Sequence, residues 1–309
     1  MSFKQAAPEF VNFEFWTACR KTWTNKNRLV TNCGGPIFFW NSMVNPLRGL
    51  ISRIELLPSG IPMRIHPSDF VDLPTAFGTM RTHLFRPTGT GKYPAVVLFS
   101  EIYQMTGPVA RTAAFVAGNG FLVAVPEVYH EFTSPGEVFD YDQVGTDRGN
   151  RLKTKKELAS YDADAVAAID CVLQLPYCSG KVATLGICLG GHLALRAAMN
   201  VNVQAGVCLY ATDIHKRSLG IGQNDNTLDR MLDVQAEMMM VWGRQDPHIP
   251  LEGRRVIYDA MTEANVNFTW HEFNGEHAFL RDEGHRYDPA LSQLIFPMVF
   301  DLFHRRLSI

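Results

Sequence analysis

Between residues 94 and 243 the chain repeats one pattern: a short apolar run, a turn, then a helical stretch. The runs are PAVVLFS at 94–100, FLVAV at 121–125, KVATLG at 181–186, AGVCLYA at 205–211 and MMMVWG at 238–243. Each is too short for a typical helix and carries no polar face, as expected of a strand enclosed between two layers. Helical periodicity appears at 108–118, at 161–174, from 189 onward and near 251–264, and a last helix covers 288–306. Residues 78–86 alternate like a half-exposed strand, and VNFTWHEF at 266–273 supplies one more. Strands alternating with helices predict an α/β fold: a mostly parallel sheet with helices on both faces.

The periodic part begins at Phe77. Residues 1–76 are aromatic-rich and broken by Gly34-Gly35-Pro36, Pro46, Pro58 and Pro62, with short helices expected at 9–24 and 41–55. They read as an N-terminal extension to a domain at 77–309. Such an extension is an arm, a lid or a contact for a homo-oligomer, or else a packing appendage without chemistry. With 46% hydrophobic and 19% charged residues, the chain can bury a large core. Its 29 basic and 31 acidic residues give a net charge of -2, which leaves no electrostatic footprint for nucleic acid or an anionic membrane. No apolar run approaches the ~18 residues of a membrane span. The six cysteines form no CxxC pair and read as reduced thiols of a cytoplasmic protein. Glu9 and Glu14 interrupt the apolar N-terminus, which does not read as a secretory signal.

The most specific local feature is Gly186-Ile187-Cys188-Leu189-Gly190-Gly191, between the run KVATLG and the helical HLALRAAM. A strand that turns into a helix within one residue forces that residue into a strained conformation, and side chains two positions away would collide. The helix N-terminus then directs free N–H groups at the turn residue, favouring a thiolate or an oxyanion there. Cys188 is therefore a candidate nucleophile; the competing reading is an inert buried cysteine at a Gly-rich helix start. A nucleophile of this kind needs a base and a group to orient it, later in the chain in the order acid, then His. Asp246 follows the strand MMMVWG, and His277 follows the strand ending HEF. Taken singly, Asp246 reads as a turn residue and His277 as structural, but both fall at the sheet edge where sites form. Glu101 ends the run PAVVLFS at the same edge, as a carboxylate to meet the thiol or as a solvated loop residue. The backbone N–H groups of Ile102 and Leu189 are the candidate oxyanion hole.

Five segments together, SEIYQMTG at 100–107, VPEVYH at 125–130, LPYCSGKVATLGICLGGH at 175–192, WGRQDPHIP at 242–250 and EHAFLR at 276–281, carry a resemblance. Over 77–309 the chain resembles the dienelactone hydrolase family (carboxymethylenebutenolidases) of the α/β-hydrolase fold. The resemblance implies a triad of Cys188, Asp246 and His277 that cleaves an ester or lactone of a small-molecule substrate without a cofactor. It implies that Glu101 hydrogen-bonds the cysteine at rest and is shifted by substrate. It further implies that Arg281 grips a substrate carboxylate, helped by Tyr103 and by an arginine of the long 129–158 connection, Arg148 or Arg151. The rival readings are a broader carboxylesterase or thioesterase on another substrate, and a non-catalytic scaffold that binds a ligand or partner. Other signals are weak. His271, His277 and His285 with Glu272, Glu276 and Glu283 match no standard zinc spacing. Gly89-Thr90-Gly91-Lys92 fails as a phosphate loop. Lys153, Lys155 and Lys156 read as the solvated start of a helix, and Met238-Met239-Met240 as strand filling.

Overall fold

The computed structural model describes residue 66 and residues 68–308. The helices expected at 9–24 and 41–55 lie outside the described residues. The strands are β1 (Asp69–Thr75), β2 (Gly78–Phe85), β3 (Tyr93–Phe99), β4 (Leu122–Pro126), β5 (Cys178–Ile187), β6 (Val203–Leu209), β7 (Glu237–Gly243) and β8 (Phe268–Phe273). The helices are α1 (Gly107–Gly118), α2 (Gln143–Lys155), α3 (Leu158–Gln174), α4 (Leu189–Ala197), α5 (Leu251–Glu263) and α6 (Pro289–Leu307). One sheet holds all eight strands in the order β1-β2-β4-β3-β5-β6-β7-β8. β1 and β2 run antiparallel, as do β2 and β4; every other neighbouring pair is parallel.

The chain moves from β3 outward to β4, then returns past β3 to β5 and proceeds the other way. Right-handed crossovers in opposite directions put α1 and α3 on opposite faces. α1 packs with α6 through Phe115, Phe296 and Phe300, while α3 packs with α4. The central strands are therefore covered on both sides: Ala95–Phe99 and Val182–Ile187 are buried throughout. That reversal opens a crevice beyond the carboxyl ends of β3 and β5, where α/β sheets bind ligands. The arrangement is an α/β-hydrolase fold. Among the described residues no helix is long and apolar enough to cross a membrane.

Two elements differ from the sequence reading. The sheet begins at Asp69, ahead of the change in character near Phe77, because β1 is an outer strand whose residues are mostly exposed. An edge strand tolerates Pro74 and needs little apolar content. The connection 129–158 also contains a helix, α2, capped by Asp142, whose Oδ1 accepts from Gly145 N at 2.7 Å. Gly145 and Gly149 argue against a helix by propensity. Tertiary contact explains Gly149, since a Cβ there would lie 2.5 Å from Ile102 O. The lysines are also placed differently. Lys153 and Lys155 end α2, and Lys156 is fully buried, paired with Glu131 and, at 2.9 Å, with Asp164.

Asp164 is fully buried too and meets His130 Nε2 at 3.0 Å, so Lys156 joins α3 to the 127–137 segment. Removing one partner of a buried pair leaves a charge unanswered and costs about 3–5 kcal/mol. Lys156→Met is expected to lower the unfolding free energy by about 3 kcal/mol or more in urea titration. A loss below about 1 kcal/mol would show that the pair does not behave as a buried one.

Candidate active site

β5 ends at Ile187 and α4 starts at Leu189, so Cys188 alone makes the turn. Its backbone has φ 59° and ψ -118°, a conformation that L residues adopt only under constraint. The constraint comes from β6: Cys188 N donates to Leu209 O at 3.0 Å, and Thr212 N donates to Cys188 O at 3.2 Å. The flanking glycines are needed for space. A Cβ on Gly186 would lie 1.8 Å from Gly190 O, and one on Gly190 would lie 2.0 Å from Phe99 O. Backbone therefore packs on backbone between β3, β5 and the first turn of α4. Leu189 heads that helix, so its N–H has no helical acceptor. Ile102, just beyond β3, is buried and faces the same cavity as Cys188.

His277 and Asp246 are both buried, with His277 Nδ1 and Asp246 Oδ2 2.6 Å apart. Asp246 Oδ1 accepts from His248 N at 2.8 Å, which fixes the carboxylate plane. Burial pushes the His277 pKa down, but the Cys188 sulfur and the Asp246 carboxylate outweigh it and raise the value to about 10. The rings of Tyr210 and His248 stand edge-on to the imidazole, with centroids 5.3 and 4.7 Å away.

Glu101 is buried beside them. Its Oε1 accepts from Tyr141 Oη at 2.5 Å, and Oε2 lies 3.5 Å from Arg281 Nη1. Burial raises its pKa against the opposing pull of Arg281 and Tyr141. Arg281 also lies over the Tyr141 ring, 4.0 Å from its centroid. The hydrogen bond expected between Glu101 and the cysteine is absent among the described residues; the carboxylate is engaged by Tyr141 and Arg281.

A cavity of about 230 Å³ brings Glu101, Ile102, Tyr103, Cys188, His277 and Arg281 to one place. Asp246 stands behind His277 rather than on the wall. Arg148 does not line the cavity; it pairs with Glu137 and lies over Phe139. Arg151 is exposed and does not line it either. The wall they were expected to supply is made by Thr146, Asn150 and Lys153 of α2, with Tyr103 Oη 2.7 Å from Thr146 Oγ1. Those three positions fall on one helical face, a spacing that would have marked them had α2 been recognised as a helix. Thr212, Asp213, Lys216, His248 and Arg286 complete the lining, and of these only His248 falls in a segment that carries the resemblance, WGRQDPHIP. Asp213 grips Lys153 Nζ with both oxygens, at 2.9 and 3.0 Å. Burial raises the Asp213 pKa, yet Lys153, Thr212 and Ser218 overcome it and hold the value at about 2.

The comparisons with known proteins agree with this architecture. The profile of the Dienelactone hydrolase family matches residues 80–307. A Saccharomyces cerevisiae protein described as "Putative carboxymethylenebutenolidase" is 42% identical over 252 residues, which is 78% of this chain and 92% of that protein. A Pseudomonas carboxymethylenebutenolidase is 28% identical over 74% of this chain and 91% of its own length. Among solved structures, a "Putative Dienelactone Hydrolase" from Klebsiella pneumoniae superposes with a TM-score of 0.68 at 20% identity, covering 78% of this chain and 98% of that one. With the fold, the strained Cys188 turn and these matches in agreement, the chain belongs to the dienelactone hydrolase family.

Proposed function

We propose that this hydrolase of ester or lactone bonds works through Cys188, with His277 as its acid and base and Asp246 as the group that orients the imidazole. The observation that carries the reading is the shared cavity of Cys188 and His277, with His277 held from behind by Asp246 at 2.6 Å. The imidazole takes the thiol proton, and the thiolate attacks the scissile carbonyl. The carbonyl oxygen becomes an oxyanion facing the N–H groups of Ile102 and Leu189, a kind of interaction worth about 3 kcal/mol of barrier per donor. As the C–O bond breaks, His277 returns its proton to the leaving oxygen. In a lactone that oxygen stays tethered to the acyl group. Water then attacks the thioester carbon, His277 accepts its proton, and the sulfur departs.

Glu101 supplies the control. An ionised carboxylate near the sulfur disfavours the thiolate. A substrate anion that reaches Arg281 competes with Glu101 for the same guanidinium and relieves that effect. The small-molecule substrate class taken from the named relatives is a carboxylate-bearing lactone such as carboxymethylenebutenolide.

Cys188→Ala is expected to reduce turnover of 4-nitrophenyl butyrate by about three orders of magnitude or more, read as 4-nitrophenolate release. Retention of most activity would transfer the chemistry to another residue. A second test uses pH. A raised His277 pKa keeps the imidazolium protonated below that value and loses the proton above it. The kcat/KM for ethyl butyrate, whose leaving alkoxide needs the proton of His277, is expected to stay level from about pH 7 to 9 and to fall as pH passes about 10. Asp246→Asn removes one of the groups that raise the value, so the alkaline fall should move to lower pH. An unmoved limb in Asp246→Asn would remove Asp246 from this role.

A further inference from the structure

Four cationic side chains line the cavity, Lys153, Lys216, Arg281 and Arg286, against two carboxylates, Glu101 and Asp213. Asp213 holds Lys153 with both oxygens, and Glu101 faces Arg281. Arg281 is further engaged by Glu283 O, 3.2 Å from its Nε, and by the Tyr141 ring. Among the described residues, Lys216 and Arg286 have no carboxylate partner. Arg286 Nε is moreover buried without any hydrogen-bond acceptor. A buried donor of a charged group left unanswered is costly, so an anion arriving there gains more than at a solvated arginine. A thiolate at Cys188 and an imidazolium at His277 would cancel, and the Asp246 carboxylate lies behind the imidazole, off the wall. The wall of this space of about 230 Å³ therefore carries two cations that no carboxylate of the lining pairs with, Lys216 and Arg286.

The two uncompensated cations belong to different parts of the wall. Lys216 follows β6 and Arg286 follows β8, with β7 and its Asp246 loop between them. Adjacent strands lie about 4.8 Å apart, so the parent strands are separated by about 10 Å. Arg286 is close enough to Glu101 and to His248 to act on both electrostatically. A substrate with one carboxylate would answer only one of these charges.

We propose, on the reading of this cavity as the hydrolytic site, that the substrate is a small ester or lactone bearing two separate anionic groups. Arg286 receives one and Lys216 the other, with the scissile carbonyl at Cys188. The resemblance to the family implies a single substrate carboxylate, gripped by Arg281 and a loop arginine. The second anion, and Arg286 and Lys216 as the residues that take the pair, go beyond what that resemblance implies.

Three 4-nitrophenyl esters of rising charge test the proposal: the butyrate (neutral), the glutarate monoester (one carboxylate) and the propane-1,2,3-tricarboxylate monoester (two carboxylates). The kcat/KM is expected to rise along the series, by about tenfold or more from neutral ester to dianion. Arg286→Gln and Lys216→Gln should each lower the ratio of dianion to neutral ester by about tenfold, the loss of one hydrogen bond between charged groups. A ratio measured within one preparation is unaffected by its folded fraction. A monoanion as good as the dianion, or ratios unmoved in both variants, would overturn the proposal. Calorimetric binding of glutarate against butyrate asks the same question without turnover. Tighter glutarate binding that weakens in both variants supports the two-anion site even if no ester is cleaved, and equal binding of the two acids overturns it.

Discussion

Everything in this site depends on how closely three stretches of backbone approach one another. The first turn of α4 lies so near the end of β3 that Gly190 has no room for a Cβ beside Phe99 O, and Gly186 has none beside Gly190 O. This contact places the loop after β3 against the helix N-terminus, which is how Ile102 comes to face the same cavity as Cys188. Within this packing Cys188 keeps its positive φ, a strain of order 1–3 kcal/mol carried by the surrounding sheet. The hydrogen bonds from Cys188 N to Leu209 O and from Thr212 N to Cys188 O tie the turn to β6. Cys188 is thus held by regular elements on three sides rather than by a loop.

Around that turn the charges come in pairs. Asp246 holds His277, Arg281 and Tyr141 hold Glu101, and Asp213 holds Lys153. Charges buried at this depth interact strongly because little water screens them. Each pair has at least one member on the cavity wall, held in its orientation by the other. Groups fixed in this way need little reorganisation, the condition under which dipoles and charges are most effective. Lys156 and Asp164 repeat the device away from the cavity, where they tie α3 to the segment beneath the site.

The strands enclosed on both faces were legible because total burial requires an unbroken apolar run, and β3, β5, β6 and β7 each have one. Cys188 was legible because the glycines around it answer a steric demand that no other residue meets. Asp246 and His277 were legible only jointly, through their positions after successive strands. α2 was not legible: its glycines and charges oppose a helix locally, and its reason for being one is the close approach of Gly149 to Ile102, a contact far away in sequence. Without that helix Thr146, Asn150 and Lys153 share no face in the sequence, and the loop arginines that the resemblance implies, Arg148 and Arg151, lie off the wall. Arg286 and Lys216 lie in loops after β8 and β6 that carry no periodicity, so only the folded wall brings them together.

The seam between α2 and the β3 loop has a mechanical consequence. Gly149 rests against Ile102, Tyr129 Oη donates to Gly149 O at 3.1 Å, and Tyr103 meets Thr146 at 2.7 Å. Any swing of α2 that widens the cavity mouth must drag the backbone opposite the sulfur along with it. The wall of the cavity and the backbone at Ile102 are therefore one mechanical unit, and neither can shift without the other.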